Sequence, residues 1–216
     1  MKKKLVDILN KWPKIHISSG DLKPILDGSS NALHSLLKRT VKEGLLIRLK
    51  RDFYLISSKI ENIKPETFEI APLLYGPSYV SLESALSFHG WIPEAVLTTN
   101  SACSKRTKRF ETSIGIFAYY NIPISIFHIG VSSCHKGLPQ DKNANFFIAD
   151  PWKALADFIY LRKRSWPNII ALSNDMRIDI DLMQHSDLNL LAKLAETYPS
   201  KRVKKALKIL MKDLSR

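Results

Sequence analysis

A chain of 216 residues, 45% of them hydrophobic, can hold one large or two smaller compact domains with a real core, which excludes disorder as its ground state. Its formal net charge of +13 exceeds what solubility requires and makes a polyanionic partner the leading expectation; residues 1–64 carry 14 Lys and Arg against 6 Asp and Glu, so a nucleic-acid reader is expected there. Its 2 cysteines, Cys103 and Cys134, fit no CxxC or zinc spacing, and no apolar run is long enough for a membrane span, so free thiols in a reducing, cytoplasmic compartment are expected.

The basic start Lys2-Lys3-Lys4 is not expected to lead into a secretion signal, because Asp7, Asn10 and Lys11 interrupt the apolar region such a signal needs. Leu5, Ile8, Leu9 and Trp12 fall at helical spacing instead, and Pro13 closes that first helix. A second short helix is predicted to start near Asp21 and stop by Gly28, since Pro24 lacks an N–H and is tolerated only in a first turn. Asp27-Gly28-Ser29-Ser30 then forms a turn whose serines cap a third helix, predicted from Asn31 to Glu43. Leu33, Leu36, Leu37, Thr40 and Val41 share one arc of that helix. Asn31, Ser35, Lys38 and Lys42 lie opposite, flanked by His34 and Arg39.

Gly44 ends this helix, and Leu45 to Leu49 and Phe53 to Ile56 read as two strands joined by a basic turn. Three helices followed by a basic-tipped hairpin make the order of a winged helix-turn-helix. The predicted organisation is therefore such a domain over residues 1–58, a linker over 59–67, and a larger mixed α+β domain over 68–216 that ends in helices: an α+β chain overall.

Within the larger domain, Tyr79 to His89 reads as a helix capped at Ser81 and ended by Gly90. Ala95 to Thr99, Ile114 to Tyr120, Ile124 to Val131 and Phe146 to Ala149 have strand composition. Asp150-Pro151 opens an apolar helix through Leu161, with Asp150 as cap and Pro151 at the first helical position. The last helix is predicted over about Lys201 to Leu214.

A helix-turn-helix reads DNA by projecting the polar side of its second helix into the major groove. The candidate DNA contacts are Ser29, Ser30, Asn31, His34, Ser35, Lys38, Arg39 and Lys42 on the third helix and its cap, with Arg48, Lys50 and Arg51 on the wing. Asn31 suits bidentate contact to adenine, and Lys38 or Arg39 suits guanine or phosphate. The competing reading is a merely solvated helix face. Two further basic clusters stand as candidate surfaces for a partner or a second nucleic-acid contact: Lys105, Arg106, Lys108 and Arg109 in an expected loop, and Lys201, Lys204, Lys205, Lys208 and Lys212 on the last helix.

No catalytic constellation assembles from the sequence, and the chain is expected not to be an enzyme and to hold no metal or cofactor. His128, Cys134 and His135 lack a fourth ligand at recognisable spacing, and Asp175, Asp179 and Asp181 fit the wet side of a short strand. Gly115, Gly130 and Gly137 are isolated, so there is no phosphate-binding glycine loop. The alternatives left open are a regulator whose second domain senses a small molecule, and a nuclease drawing its acids from Glu83, Asp150, Asp157 or the Asp175 to Asp181 cluster.

The stretch Val41-Lys42-Glu43-Gly44-Leu45-Leu46-Ile47-Arg48-Leu49-Lys50-Arg51-Asp52-Phe53-Tyr54 resembles the N-terminal domain of AbiEi-type antitoxins. Ser84-Ala85-Leu86-Ser87-Phe88-His89-Gly90 and Lys153-Ala154-Leu155-Ala156-Asp157 carry the likeness into the second domain. That family often has Gly where this chain has Asp52, a residue that tolerates the left-handed region. The resemblance implies the antitoxin of a type IV toxin-antitoxin system. Such a protein represses its own operon by binding inverted repeats of double-stranded DNA cooperatively, as a dimer on DNA, and counteracts a nucleotidyltransferase-like toxin without requiring a stable complex with it.

Overall fold

The computed structural model of the chain describes residues 2–59, 66–135 and 145–215, with no side-chain description for His135 and Asn145. These form an α+β protein of two compact units, one of Met1–Glu66 with Phe110–Ile114, the other of Thr67–Arg109 with Gly115–Arg216. Most of the linker expected over 59–67 lies outside the described residues.

The first unit runs α1 (Lys2–Lys11), β1 (His16–Ser18), α2 (Ser19–Leu22), α3 (Ser30–Lys42), β2 (Leu46–Lys50) and β3 (Phe53–Ile56). Its strands form an antiparallel sheet in the order β1-β3-β2. Leu5 and Leu9 of α1, Leu33, Leu36 and Leu37 of α3, and Leu46, Tyr54 and Ile56 of the hairpin share one core. β1 has no counterpart among the sequence expectations, because three residues are too few for a visible alternation; its register with β3, Ile17 opposite Tyr54, supplies what its own pattern lacks.

The second helix differs from expectation. Ser18 and Asp21 form a reciprocal capping box: the Asp21 amide donates to Ser18 Oγ at 3.1 Å and the Ser18 amide to Asp21 Oδ2 at 2.8 Å. That box starts α2 at Ser19, earlier than Asp21. Pro24, which has no N–H to offer the Gly20 carbonyl, then falls beyond its end, and Ile25 and Leu26 close a tight turn by donating back to the Leu22 carbonyl. α3, capped by Ser29, begins one residue before its expected start.

The second unit contains α4 (Thr67–Leu74), β4 (Ser78–Val80), α5 (Leu82–Phe88), β5 (Thr98–Cys103), the start of β6 (Lys108–Thr112, of which Lys108 and Arg109 belong to this unit), β7 (Gly115–Asn121), β8 (Val131–His135) and β9 (Asn145–Ala149). Five helices follow: α6 (Pro151–Arg162), α7 (Ile169–Met176), α8 (Ile180–Gln184), α9 (Leu188–Thr197) and α10 (Lys201–Leu214). The strands make a six-stranded mixed sheet, β6-β7-β5-β4-β9-β8, in which β4 pairs parallel with β9 and β5 with β7. α6 is apolar on nearly every side because it is the central helix of this unit: Trp152, Leu155 and Ile159 are fully buried, in one core with Leu194 of α9 and Leu207 of α10. Asp150 caps α6 by accepting from the Trp152 amide at 2.9 Å, with Pro151 in the first turn.

Several expectations are corrected here. Tyr79 and Val80 belong to a strand, paired with Ala102 and Ser101, and the helix starts only at Leu82. Ala95 to Leu97 is surface loop, with Leu97 90% exposed, and the strand begins at Thr98. The apolar run from Ile124 to Val131 is a 3-10 turn over Ile124–Ile126 that reaches a strand only at Val131; Pro123 sets its start and Gly130, at φ +67, precedes the strand. Asp179 and Asp181 are not on a strand but cap and open α8. Lys108 and Arg109 lie in β6, not in a loop. No helix among the described residues is long and apolar enough to cross a membrane.

Candidate nucleic-acid interface

α3 presents its polar side to solvent. Ser30, Asn31, His34, Ser35, Lys38, Arg39 and Lys42 are all exposed or half-exposed, while Leu33, Leu36, Leu37 and Thr40 are buried. At about 100° per residue, Asn31, Ser35, Lys38 and Lys42 fall within roughly 60° of one another, with His34 and Arg39 on either flank. The helix is held in this orientation by its leucines and by its ends: Ser29 Oγ accepts from the Ala32 amide at 3.2 Å, and Lys2 of α1 pairs with Glu43 at 2.9 Å beyond the last turn. Ser29 is thus first a cap.

The hairpin places its three cations differently. Arg48 and Arg51 are exposed, whereas Lys50 is half-buried with its Nζ 5.3 Å from the centre of the Phe53 ring. A register shift between Arg48 and Lys50 bulges the strand, and Arg48 Nε donates to the Lys50 carbonyl at 3.3 Å. Asp52 sits at φ +60, in the left-handed region the turn demands, and its carbonyl accepts from the Ser19 amide at 3.3 Å. Arg51 leans on the Asp52 carboxylate at 3.5 Å, a contact between exposed groups that a phosphate can displace.

Two grooves flank α3. One, of about 250 Å³, is lined by His34 and Lys38 of α3 and Arg48 and Tyr54 of the hairpin, so helix and wing cations face one space. The other, of about 360 Å³, gathers Asn31 and His34 with Lys23, Arg51 and Asp52. The sequence pattern does not single out Lys23; its only signal is that it follows the helix preceding α3, where a helix-turn-helix commonly meets the DNA backbone. Under the hairpin, His16 stacks on Phe53 with centroids 5.4 Å apart, and burial, aided by Lys14, pushes its pKa down against the opposing pull of Asp21.

In the second unit the basic turn is held from within. The Lys105 carbonyl accepts from Asn121 Nδ2 at 2.9 Å and the Arg106 carbonyl from the Tyr75 hydroxyl at 3.1 Å. Lys105, Arg106, Lys108 and Arg109 are exposed, with Lys105 and Lys108 each 5.6 Å from the Tyr75 ring centre. On α10, Lys201, Lys205, Lys208 and Lys212 are exposed and Lys204 half-buried.

Apart from Asp181, which opens α8, the acids named for a nuclease are engaged elsewhere. Glu83 accepts from Nε and Nη2 of Arg162, Asp175 pairs with Arg164 and accepts from Trp166, and Asp150 and Asp179 cap helices. Among the described residues no three His, Cys, Asp or Glu side chains gather as metal ligands. Asp157 is fully buried at the centre of a polar cluster that the sequence did not disclose. Its Oδ1 accepts from Lys153 Nζ and the Tyr198 hydroxyl, and its Oδ2 from Tyr79 and Ser81 at 2.8 Å each.

No family model matches the chain, and no curated protein matches it.

Proposed function

We propose that the first unit is a winged helix-turn-helix that binds double-stranded DNA, with α3 as recognition helix and the β2–β3 hairpin as wing. One observation carries this reading: the polar side of α3 is free of the core, and Lys38 opens onto the same groove as Arg48 of the hairpin. A cationic helix face beside a cationic hairpin fits a groove bordered by phosphates, where the helix reads base edges and the hairpin grips the backbone. Asn31 and Ser35 offer hydrogen bonds to bases, and Lys38, Arg39 and Arg48 offer charge.

The resemblance to AbiEi-type antitoxins extends this to an autorepressor in the cytoplasm that binds an inverted-repeat operator as a dimer and counteracts a nucleotidyltransferase-like toxin. Footprinting and gel shift on the DNA immediately upstream of the coding region test the DNA-binding claim. Protection of two half-sites is expected. A folded protein that protects nothing there, and binds random duplex no tighter than Lys-free controls, removes it. Lys38→Ala or Arg39→Ala should each weaken operator binding by about 1–3 kcal/mol where the side chain meets a base. Neutralising Arg48, Lys50 and Arg51 together should reduce the slope of log K against log salt by roughly 0.9 for each phosphate left unneutralised, most of it from Arg48 and Arg51. Unchanged affinity and slope in that triple variant would remove the wing assignment. Growth arrest by the neighbouring toxin gene product, relieved by co-expression of this chain, checks the antitoxin role separately.

A further inference from the structure

The outward face of α10 gathers five lysines on one helix. Lys201, Lys204, Lys205, Lys208 and Lys212 lie within an arc of about 100° at 3.6 residues per turn. Val203, Ala206, Leu207 and Leu210 on the other side are buried, so packing of the helix on its own unit fixes the lysines outward. Among the described residues none of the five makes an ion pair. The one acid on the helix, Asp213, is turned to the Ile169 amide at 2.9 Å, and Arg202 donates to the Tyr160 carbonyl.

This arrangement works against the helix that bears it. Lys201 with Lys205, Lys204 with Lys208, and Lys208 with Lys212 are like charges at i, i+4, and Lys201 stands at the helix N-terminus, where the macrodipole disfavours a cation. A solvated face chosen for the fold alone would interleave acids at these spacings. Lysines are also depleted at protein–protein interfaces, and the face carries no aromatic anchor.

We propose that this face is a second, sequence-independent contact for the phosphate backbone of duplex DNA. From Lys201 to Lys212 the helix runs about 16 Å at 1.5 Å per residue. Over that length duplex DNA presents roughly ten phosphates, counting both strands. Ammonium groups suit this task, since they act as mobile point charges without the fixed fork that Arg uses to read a base. The contact needs nothing from α3 or the hairpin, so its failure and the failure of the operator-reading assignment can be told apart.

The test measures binding of the full chain to a mixed-sequence duplex of about 30 base pairs lacking the upstream region, across a salt series. The variants are Lys204→Gln, Lys205→Gln, Lys208→Gln and Lys212→Gln combined, the same four positions changed to Arg, and the triple hairpin variant. The fourfold Gln variant is expected to bind more weakly by tenfold or more at low salt, with the slope of log K against log salt lowered by about 0.9 per phosphate released. The fourfold Arg variant should retain both. Lysine-dependent binding should persist when the hairpin is neutralised. A Gln variant that melts like the parent and binds the duplex with unchanged affinity and slope overturns the proposal and leaves the face to an acidic protein partner. Loss of binding that Arg does not restore also overturns it, because a phosphate contact asks only for charge.

Discussion

At Asp157, four donors converge on one carboxylate that no solvent reaches: the Lys153 ammonium and the hydroxyls of Tyr198, Tyr79 and Ser81. The ammonium also lies 5.4 Å and 5.5 Å from the centres of the Tyr79 and Tyr198 rings, so its desolvation is partly offset by two π faces. Burial, the dominant influence, lowers the pKa of Lys153, and the Asp157 carboxylate opposes it. Lys153→Met leaves a buried carboxylate without its cation and should destabilise the second unit by about 3–5 kcal/mol, whereas Tyr198→Phe removes one donor and should cost about 1–1.5 kcal/mol. Urea denaturation checks both, and a Lys153→Met cost below that of Tyr198→Phe would contradict the ion-pair reading. His16 supplies a pH dependence in the first unit. Its folded pKa lies below 6.5, so the unfolded chain binds the proton more readily. Stability tied to His16 is therefore complete above pH 6.5 and is lost as pH falls through the lowered folded value. Denaturation midpoints of the parent and a His16→Phe variant should diverge as pH drops below 6.5, while Asp21, whose pKa is lowered from 3.8 by its bonds to Ser18, acts only in a more acid window.

At the scale of elements, α3 and α6 were legible to within a residue or so because caps or breakers mark them, Ser29 and Gly44 for α3 and Asp150-Pro151 for α6, whereas α10, whose Ser200 makes no side-chain cap, was legible from its segregated apolar and basic faces. The polar face of α3 was legible for the same reason: once Leu33, Leu36 and Leu37 are assigned to the core, geometry puts Ser35 and Lys38 outside. Short elements were not legible. β1 and β4 are three residues each and owe their existence to partners far along the chain, and the run Ile124 to Val131 carries β-branched residues into a 3-10 turn. Nor was the Lys153–Asp157 pair readable, because Lys and Asp at i, i+4 look like a surface pair until α6 is known to be central. Ser29 caps α3 and is also a proposed DNA contact, and two substitutions separate the two roles. Ser29→Ala removes the acceptor for the Ala32 amide and should cost about 1 kcal/mol of stability with little change in DNA affinity. Ser29→Asp keeps the cap and adds a negative charge facing the duplex; it should preserve stability and weaken binding. If Ser29→Asp binds like the parent, the start of α3 does not approach phosphate.

Across the whole molecule, the proposed recognition helix α3 and the buried ionic cluster belong to different compact units with separate cores, and the two cores share no residue. Stability can then be lost in one without loss in the other, as it is in proteins whose cooperative units coincide with domains. Hydrogen exchange resolved by peptide makes this measurable in the intact chain. In the Lys153→Met variant, amides in β4, β5, α5, α6 and α10 should exchange faster by on the order of a hundredfold or more, following from the roughly 3–5 kcal/mol taken from that unit. Amides in α3, β2 and β3 should keep their parental protection, and operator binding through α3 should survive wherever the variant stays in solution. Equal loss of protection in both units would mean that they open as one cooperative body. The duplex contacts of α3 would then depend on a carboxylate in the other unit, through its effect on the shared stability of the chain.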